Sequence, residues 1–162
     1  MRSVSNIPSK IFSEDELQMQ LKRWRLLNKK IVFTNGVFDI LHQGHIVSLS
    51  AAATFGHVLI VGLNADESVK RLKGETRPVN DEQSRALVLA SLIMTDAIVL
   101  FKEDTPQRLI VSIMPDILVK GGDYTVEQIA GAEEVIANGG EVKIVPIVEG
   151  FSTTGIIQKM KS

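Results

Sequence analysis

The stretch VFTNGVFDILHQGH, residues 32–45, holds two of the three histidines in a chain of 162 residues. His42 and His45 stand just after a short apolar run and a glycine, where the pattern turns from strand to helix. With a helix start near His42, residues three apart share one face of its first turn. The first amides of a helix lack intrahelical partners and its dipole is positive there, so such a tip is an anion site. Two imidazoles added to it can donate hydrogen bonds to phosphate oxygens. Gly44 removes a side chain that would block close approach, and Gly36 lets the backbone come near a nucleotide. Two alternatives stand beside this one. A zinc site built on His42, His45 and Asp39 would want a further strong ligand, and the third histidine, His57, opens the next strand at the far end of the sheet. The plainer alternative is a pair of helix-end histidines with no ligand at all.

The elements that must position this pair alternate along the chain. Residues 13–28 form an amphipathic helix, with Ser13 as cap, Glu16 completing a capping box, and Leu17, Leu21, Trp24 and Leu27 on one face. The first ten or so residues are a polar arm. Buried-strand patterns follow at 30–34, 57–63, 96–101, 116–120 and 141–148. Between and after them lie helices from Gly44 to Phe55 and over 81–94, 105–113, 125–140 and 152–162, with Pro106 in the first turn of its own. This alternation predicts an α/β fold: a Rossmann-like, doubly wound, parallel five-stranded sheet in three layers. The chain reads as one domain, with residues 1–28 an arm and helix and 29–162 the sheet domain.

Ligands of open parallel sheets bind beyond the carboxyl ends of the strands. Four of the five predicted strands end there in glycines and polar groups. The first runs through Thr34, Asn35, Gly36 and Phe38 toward the histidines, and the second runs into Asn64 and Asp66. The fourth reaches Lys120 and Asp123, and the fifth reaches Ser152, Thr153 and Thr154. Each cluster alone is explained by a tight turn or a helix cap. Four on one rim point to a binding crevice. The cationic stretch 64–85 adds Lys70, Arg71, Lys73, Arg77 and Arg85 among acids. Lys70 and Arg71 fit a solvated helix, whereas Lys73 and Arg77 sit in a loop able to fold over the crevice and neutralise a polyphosphate.

Bulk properties exclude several classes. A net charge of −1 leaves no basic excess for nucleic acid, and the absence of cysteine removes disulfides and thiolate metal sites. The apolar runs are too short to span a bilayer and MRSVSNIPSK is no signal peptide, so a cytoplasmic, non-membrane protein is expected. The run ALVLASLIM would serve a homodimer as readily as a core.

At GVFDILHQGH the chain resembles the nucleotidyltransferase superfamily marked by GxFDxxHxGH, with Gly36, Phe38, Asp39, His42, Gly44 and His45 at the family spacing. That superfamily includes cytidylyltransferases, pantetheine-phosphate adenylyltransferase and, more distantly, class I aminoacyl-tRNA synthetase catalytic domains. Phe151-Ser152-Thr153-Thr154-Gly155-Ile156-Ile157 resembles its ISSTxxR element, with Ile157 where a basic residue is usual and Lys159 the nearby candidate to replace it. NADESVKRLKGETRPVN, FKEDTP, PDILVKGGDY and GFSTTGII are similar to the adenylyltransferase branch of ADP-heptose synthesis, in its stand-alone bacterial form. The resemblance implies transfer of an adenylyl group from ATP, accompanied by Mg²⁺ held by phosphate and water, to D-glycero-D-manno-heptose 1-phosphate, in lipopolysaccharide or other surface-glycan assembly. In the expected site His42 and His45 take the α- and β-phosphate oxygens. Thr34, Asn35, Gly36, Phe38, Asp39 and Gly44 form the nucleotide crevice, and Ser152, Thr153 and Thr154 grip the outer phosphates. Lys73, Arg77, Arg85 and Lys120 hold the sugar phosphate and departing pyrophosphate, with Lys73 also catalytic, and Asn64 and Asp123 touch ribose or base. No protein metal ligand is expected. A CTP-dependent transferase acting on glycerol 3-phosphate or a similar polyol phosphate, and a non-catalytic nucleotide-binding module, remain as alternatives.

Overall fold

Every position of Val58–Asn64 is buried, as a strand covered on both faces requires. A computed structural model describes residues 6–146, 148 and 150–161 and places this strand inside a parallel sheet. The strands are β1 (Ile11–Phe12), β2 (Ile31–Gly36), β3 (Val58–Asn64), β4 (Ala97–Phe101), β5 (Ile117–Gly121) and β6 (Glu141–Val145). The helices are α1 (Glu14–Leu26), α2 (Gln43–Ala53), α3 (Asp66–Lys73), α4 (Glu82–Ser91), α5 (Gln107–Ile113), α6 (Ala132–Ala137) and α7 (Thr153–Lys161).

The strand order is β1-β4-β3-β2-β5-β6. The chain leaves β2 toward β3 on one side and leaves β5 toward β6 on the other, so the strand order reverses between β2 and β5. That is the point at which a doubly wound sheet opens a crevice. Alternate residues of each strand face opposite layers. Phe33 and Ile60 join Leu17 and Leu21 of α1, Leu109 and Ile113 of α5 and Val135 of α6. Val32, Leu59 and Val61 join Leu49 of α2 and Ala86 and Leu89 of α4. Each fully buried aliphatic or aromatic side chain contributes about 1.5–3 kcal/mol by leaving water, so the two layers hold the strand ends in fixed relation. The edge away from the crevice is tied by carboxylates: Asp116 accepts the Ile31 N–H (2.6 Å) and Asp96 the Leu59 N–H (2.8 Å). His57 lies there as expected, its Nδ1 accepting the Lys30 N–H.

Three expectations change. The sheet has six strands, not five, because Ile11 and Phe12, in the segment after the polar arm, pair with Ile98 and Val99 of β4. Two residues are too few to show a period-two pattern. On α1 the Ser13–Glu16 capping box forms and Leu17 and Leu21 are buried, but Leu27 lies past the last turn and is exposed. The predicted helix over 125–140 is instead a 3-10 turn, Val126–Gln128, followed by α6. Gly131 separates them in the left-handed region at φ 79°, and a Cβ there would stand 2.7 Å from Cγ2 of buried Ile110. Along α4 and the turn after it the run expected to serve core or dimer divides, with Ala86, Leu89 and Ala90 buried and Leu87, Val88 and Ile93 exposed. No helix among the described residues is long and apolar enough to cross a membrane.

Gly131→Ala combines the left-handed backbone with that contact and is expected to cost about 1–3 kcal/mol. Urea denaturation measures the loss, and an unchanged midpoint would contradict the account of the break.

Candidate active site

β2 ends at Thr34, Asn35 and Gly36, and the chain then turns sharply, with Phe38 at a left-handed φ of 47°. His42 is the N-cap of α2, so the helix starts between the two histidines and His45 lies in its first turn. The His42 side chain makes no capping hydrogen bond. It lies instead against His45, the two rings stacked with centroids 3.8 Å apart. Phe38 also tilts onto His45, at 5.2 Å. The glycines of the signature make room for these rings and also line the cavity beside them. A Cβ on Gly44 would come within 3.1 Å of the His42 ring, and one on Gly36 within 2.8 Å of Phe38.

The start of α7 faces the same place. Phe151 stacks near His42 at 6.4 Å, and the Thr153 hydroxyl donates to the Ile40 carbonyl at 3.3 Å. Ser152 caps α7, its Oγ accepting the Gly155 N–H. Both helix starts, together with Thr34, Asn35 and Gly36, line one cavity of about 330 Å³. That volume is at the lower end of small-ligand pockets, which run from about 300 to 1,000 Å³. The imidazoles are only partly buried, but their Nδ1 atoms are inside and have no hydrogen-bond partner among the described residues. Orphaned polar atoms of this kind are rare in folded proteins and concentrate at functional sites.

Burial sets the charge state of the pair. It lowers the His42 pKa, and together with the neighbouring His42 it pushes His45 down to about 4. Both rings are therefore neutral at pH 7 and each carries one N–H to donate. The cationic side chain at this cavity is Lys120, at the end of β5, whose Nζ lies 5.4 Å from the centre of the Tyr124 ring. Burial lowers its pKa as well.

A second cavity, also of about 330 Å³, shares Asn35, Gly36, Val37 and Lys120 with the first. Lys73, Asn64, Asp104, Thr105, Tyr124 and Gln128 add to its polar wall. Lys120 thus stands between two adjoining pockets.

Several expected ligand contacts are placed elsewhere. Arg85 is 2% exposed and its guanidinium bonds to Asp66 and to the carbonyls of Val37, Asn64 and Asn80, so it reaches neither cavity. Asp39 is 3% exposed, and its carboxylate accepts from Arg77 and from the amides of Val79 and Asn80. Arg77 spends its Nε on that carboxylate. Asn64 stays in the wall of the second cavity, its amide donating to Ser68. Asp123 and Thr154 are exposed and line neither cavity, while Lys159 is exposed on α7. Ser48, Phe151 and Tyr124 were not foreseen as lining residues. Ser48 follows His45 by three residues on α2, and that helical spacing was the signal available. Tyr124 and Asp104 come from loops, where no periodicity marks them. Among the described residues no cluster of three or more His, Asp or Glu side chains could hold a metal.

The sequence pattern of the cytidylyltransferase-like family matches residues 33–159. The chain belongs to the cytidylyltransferase-like family. The match runs from β2 through α7 and so takes in both helix starts. The bifunctional protein HldE of Klebsiella pneumoniae is 56% identical over 151 residues, covering 93% of this chain and 32% of that protein. The HldE protein of Pasteurella multocida is 54% identical over 157 residues, covering 97% of this chain and 33% of its own. The chain thus spans about a third of the length of these curated relatives. The crystal structure of a lipopolysaccharide core biosynthesis protein from Thermoplasma volcanium aligns with a TM-score of 0.59 at 33% identity, over 74% of this chain and 97% of that one. Pantoate-beta-alanine ligase from Francisella tularensis shares the fold at 15% identity and a TM-score of 0.61, over 93% of this chain and 76% of its own.

The depressed His45 pKa has a consequence for stability. Between pH 6.5 and about 4 the unfolded chain takes up a proton at this ring that the folded chain refuses. Stability from this group is therefore present above pH 6.5 and lost as pH falls toward 4. Thermal melts from pH 7.5 to 4.5 should show a steeper loss of Tm for the native protein than for His45→Gln, and equal slopes would contradict a buried neutral imidazole.

Proposed function

We propose that the chain is an adenylyltransferase that joins ATP and D-glycero-D-manno-heptose 1-phosphate to give ADP-heptose and pyrophosphate. One observation carries the reading: two helix starts, one bearing a pair of neutral imidazoles, line a single cavity that shares a lysine with a second cavity beside it. The likeness to HldE proteins and to a lipopolysaccharide core biosynthesis protein supports this choice of substrates.

In this reading the triphosphate lies across the α2 and α7 starts, whose free amides and positive dipole ends favour anions. His42 and His45 donate to the α- and β-phosphate oxygens. Thr153 and the α7 amides hold the outer phosphates, Ser152 contributing as the cap that orders them. Thr34, Asn35, Gly36 and Phe38 form the floor. The sugar phosphate occupies the second cavity, its phosphate against Lys120 and Lys73 and its hydroxyls toward Asn64 and Asp104. A phosphate oxygen then attacks the α-phosphorus, the bond from that phosphorus to the bridging oxygen breaks, and pyrophosphate leaves with the electron pair. The nucleophile is already anionic, so no general base is required, and catalysis rests on placement and charge stabilisation. Negative charge on the ligand raises the proton affinity of both imidazoles.

Mg²⁺ enters with ATP as part of the substrate. Among the described residues no carboxylate lines the nucleotide cavity, and in this reading phosphate and water supply its ligands. Arg85 has no contact with substrate in this reading. A reaction consuming ATP belongs in the bacterial cytoplasm.

Incubation with ATP or CTP and a panel of phosphate acceptors, followed by pyrophosphate detection, tests the proposal. Release is expected with ATP and the heptose phosphate, and His45→Ala should reduce turnover about a hundredfold or more, the scale for losing one stabilising donor. Preference for CTP and glycerol 3-phosphate, or tight nucleotide binding without release, would overturn it.

A further inference from the structure

Residues 77–80 form a strap that crosses the phosphate-binding turn. Asp39, inside that turn, holds the strap from one side: its carboxylate accepts from Arg77 Nε at 2.7 Å and from the N–H groups of Val79 and Asn80 at 2.9 Å. The Asn80 side-chain amide donates back to the Asp39 carbonyl at 2.7 Å. Arg85 holds the strap from beneath, its Nε donating to the Asn80 carbonyl at 2.9 Å and its Nη1 to the Val37 carbonyl at 2.7 Å. Burial by itself would raise the Asp39 pKa, but the two amides and the Arg77 guanidinium outweigh it and hold the carboxyl below its ordinary range. A buried carboxylate with this many donors is committed to the protein.

What the strap connects matters more than its stability. One end grips the turn whose Phe38 lies on His45 and whose Ile40 carbonyl takes the Thr153 hydroxyl. The other end leads back through residues 74–76 to Lys73, on the wall of the second cavity. We propose that Asp39 and Arg77 are positioning residues, neither touching substrate, whose ion pair latches the strap to the phosphate-binding turn and so sets Lys73 over the acceptor cavity. The kinetic part rests on the adenylyltransferase reading, while the latch itself does not. The rival assignment gives Arg77 direct contact with the acceptor phosphate.

The two differ in sign for Asp39→Asn. A latch predicts that Arg77→Lys and Asp39→Asn each raise the acceptor KM roughly 3–30-fold, the range of coupling within a contacting pair. Affinity for ATP should stay within about threefold of the native value, and the double variant should be no worse than the poorer single. Direct contact predicts that Asp39→Asn, by freeing Arg77, leaves the acceptor KM unchanged or lowers it, and that result overturns the proposal. So would a loss of ATP affinity in step with the acceptor. Hydrogen exchange gives a readout independent of turnover: the Val79 and Asn80 amides should exchange slowly in the native protein and at open-loop rates in Asp39→Asn. Unchanged exchange removes the latch whatever the kinetics show. If the native protein releases no pyrophosphate, the functional reading fails and exchange still decides the latch. If Asp39→Asn does not fold, Arg77→Lys, which keeps the charge, carries both measurements.

Discussion

The starts of α2 and of α7 line one cavity, and the rest of the molecule is arranged around that fact. A helix start needs acceptors. At α7 the Ser152 hydroxyl supplies one, but at α2 the capping residue is a histidine whose side chain does not turn back to the backbone. Its ring is held against His45 instead, both neutral and with their Nδ1 atoms unpartnered among the described residues. Buried polar atoms without partners are costly, which is why the proposed function gives these two rings an anion to bind.

The fold delivers this arrangement through strand order. Because β2 and β5 are neighbours whose onward connections run in opposite directions, the turns after them leave an opening between them. β2 brings the histidine turn to that opening and β5 brings Lys120. α2 packs on the layer formed with α4, whereas α1, α5 and α6 cover the other face. Substituting the core beneath would therefore act on the site only through the heights of these strand ends. The buried Arg85 joins the ends of β2 and β3 directly, through the carbonyls of Val37 and Asn64.

Much of this was legible in the sequence. The capped amphipathic pattern gave α1, the β-branched runs gave five of the strands, and the histidine spacing located the helix start that carries the site. What could not be read was what each charged residue pairs with. Arg77 and Arg85 look alike in sequence, eight residues apart among acids, yet one lies in a strap and the other is sealed beneath it. Pairing depends on contacts between residues such as Arg77 and Asp39, which periodicity does not encode. The same limit hid the two-residue strand β1 and the break at Gly131, where the conformation is set by a neighbouring strand or by packing on Ile110.

The most direct test of the cradle is a crystal structure with a non-hydrolysable ATP analogue bound. The triphosphate is expected between the two helix starts, with its oxygens within hydrogen-bond distance of both the His42 and His45 rings and the first amides of α7. A triphosphate lying wholly in the second cavity, or a nucleotide base occupying the space between the helix starts, would contradict the account.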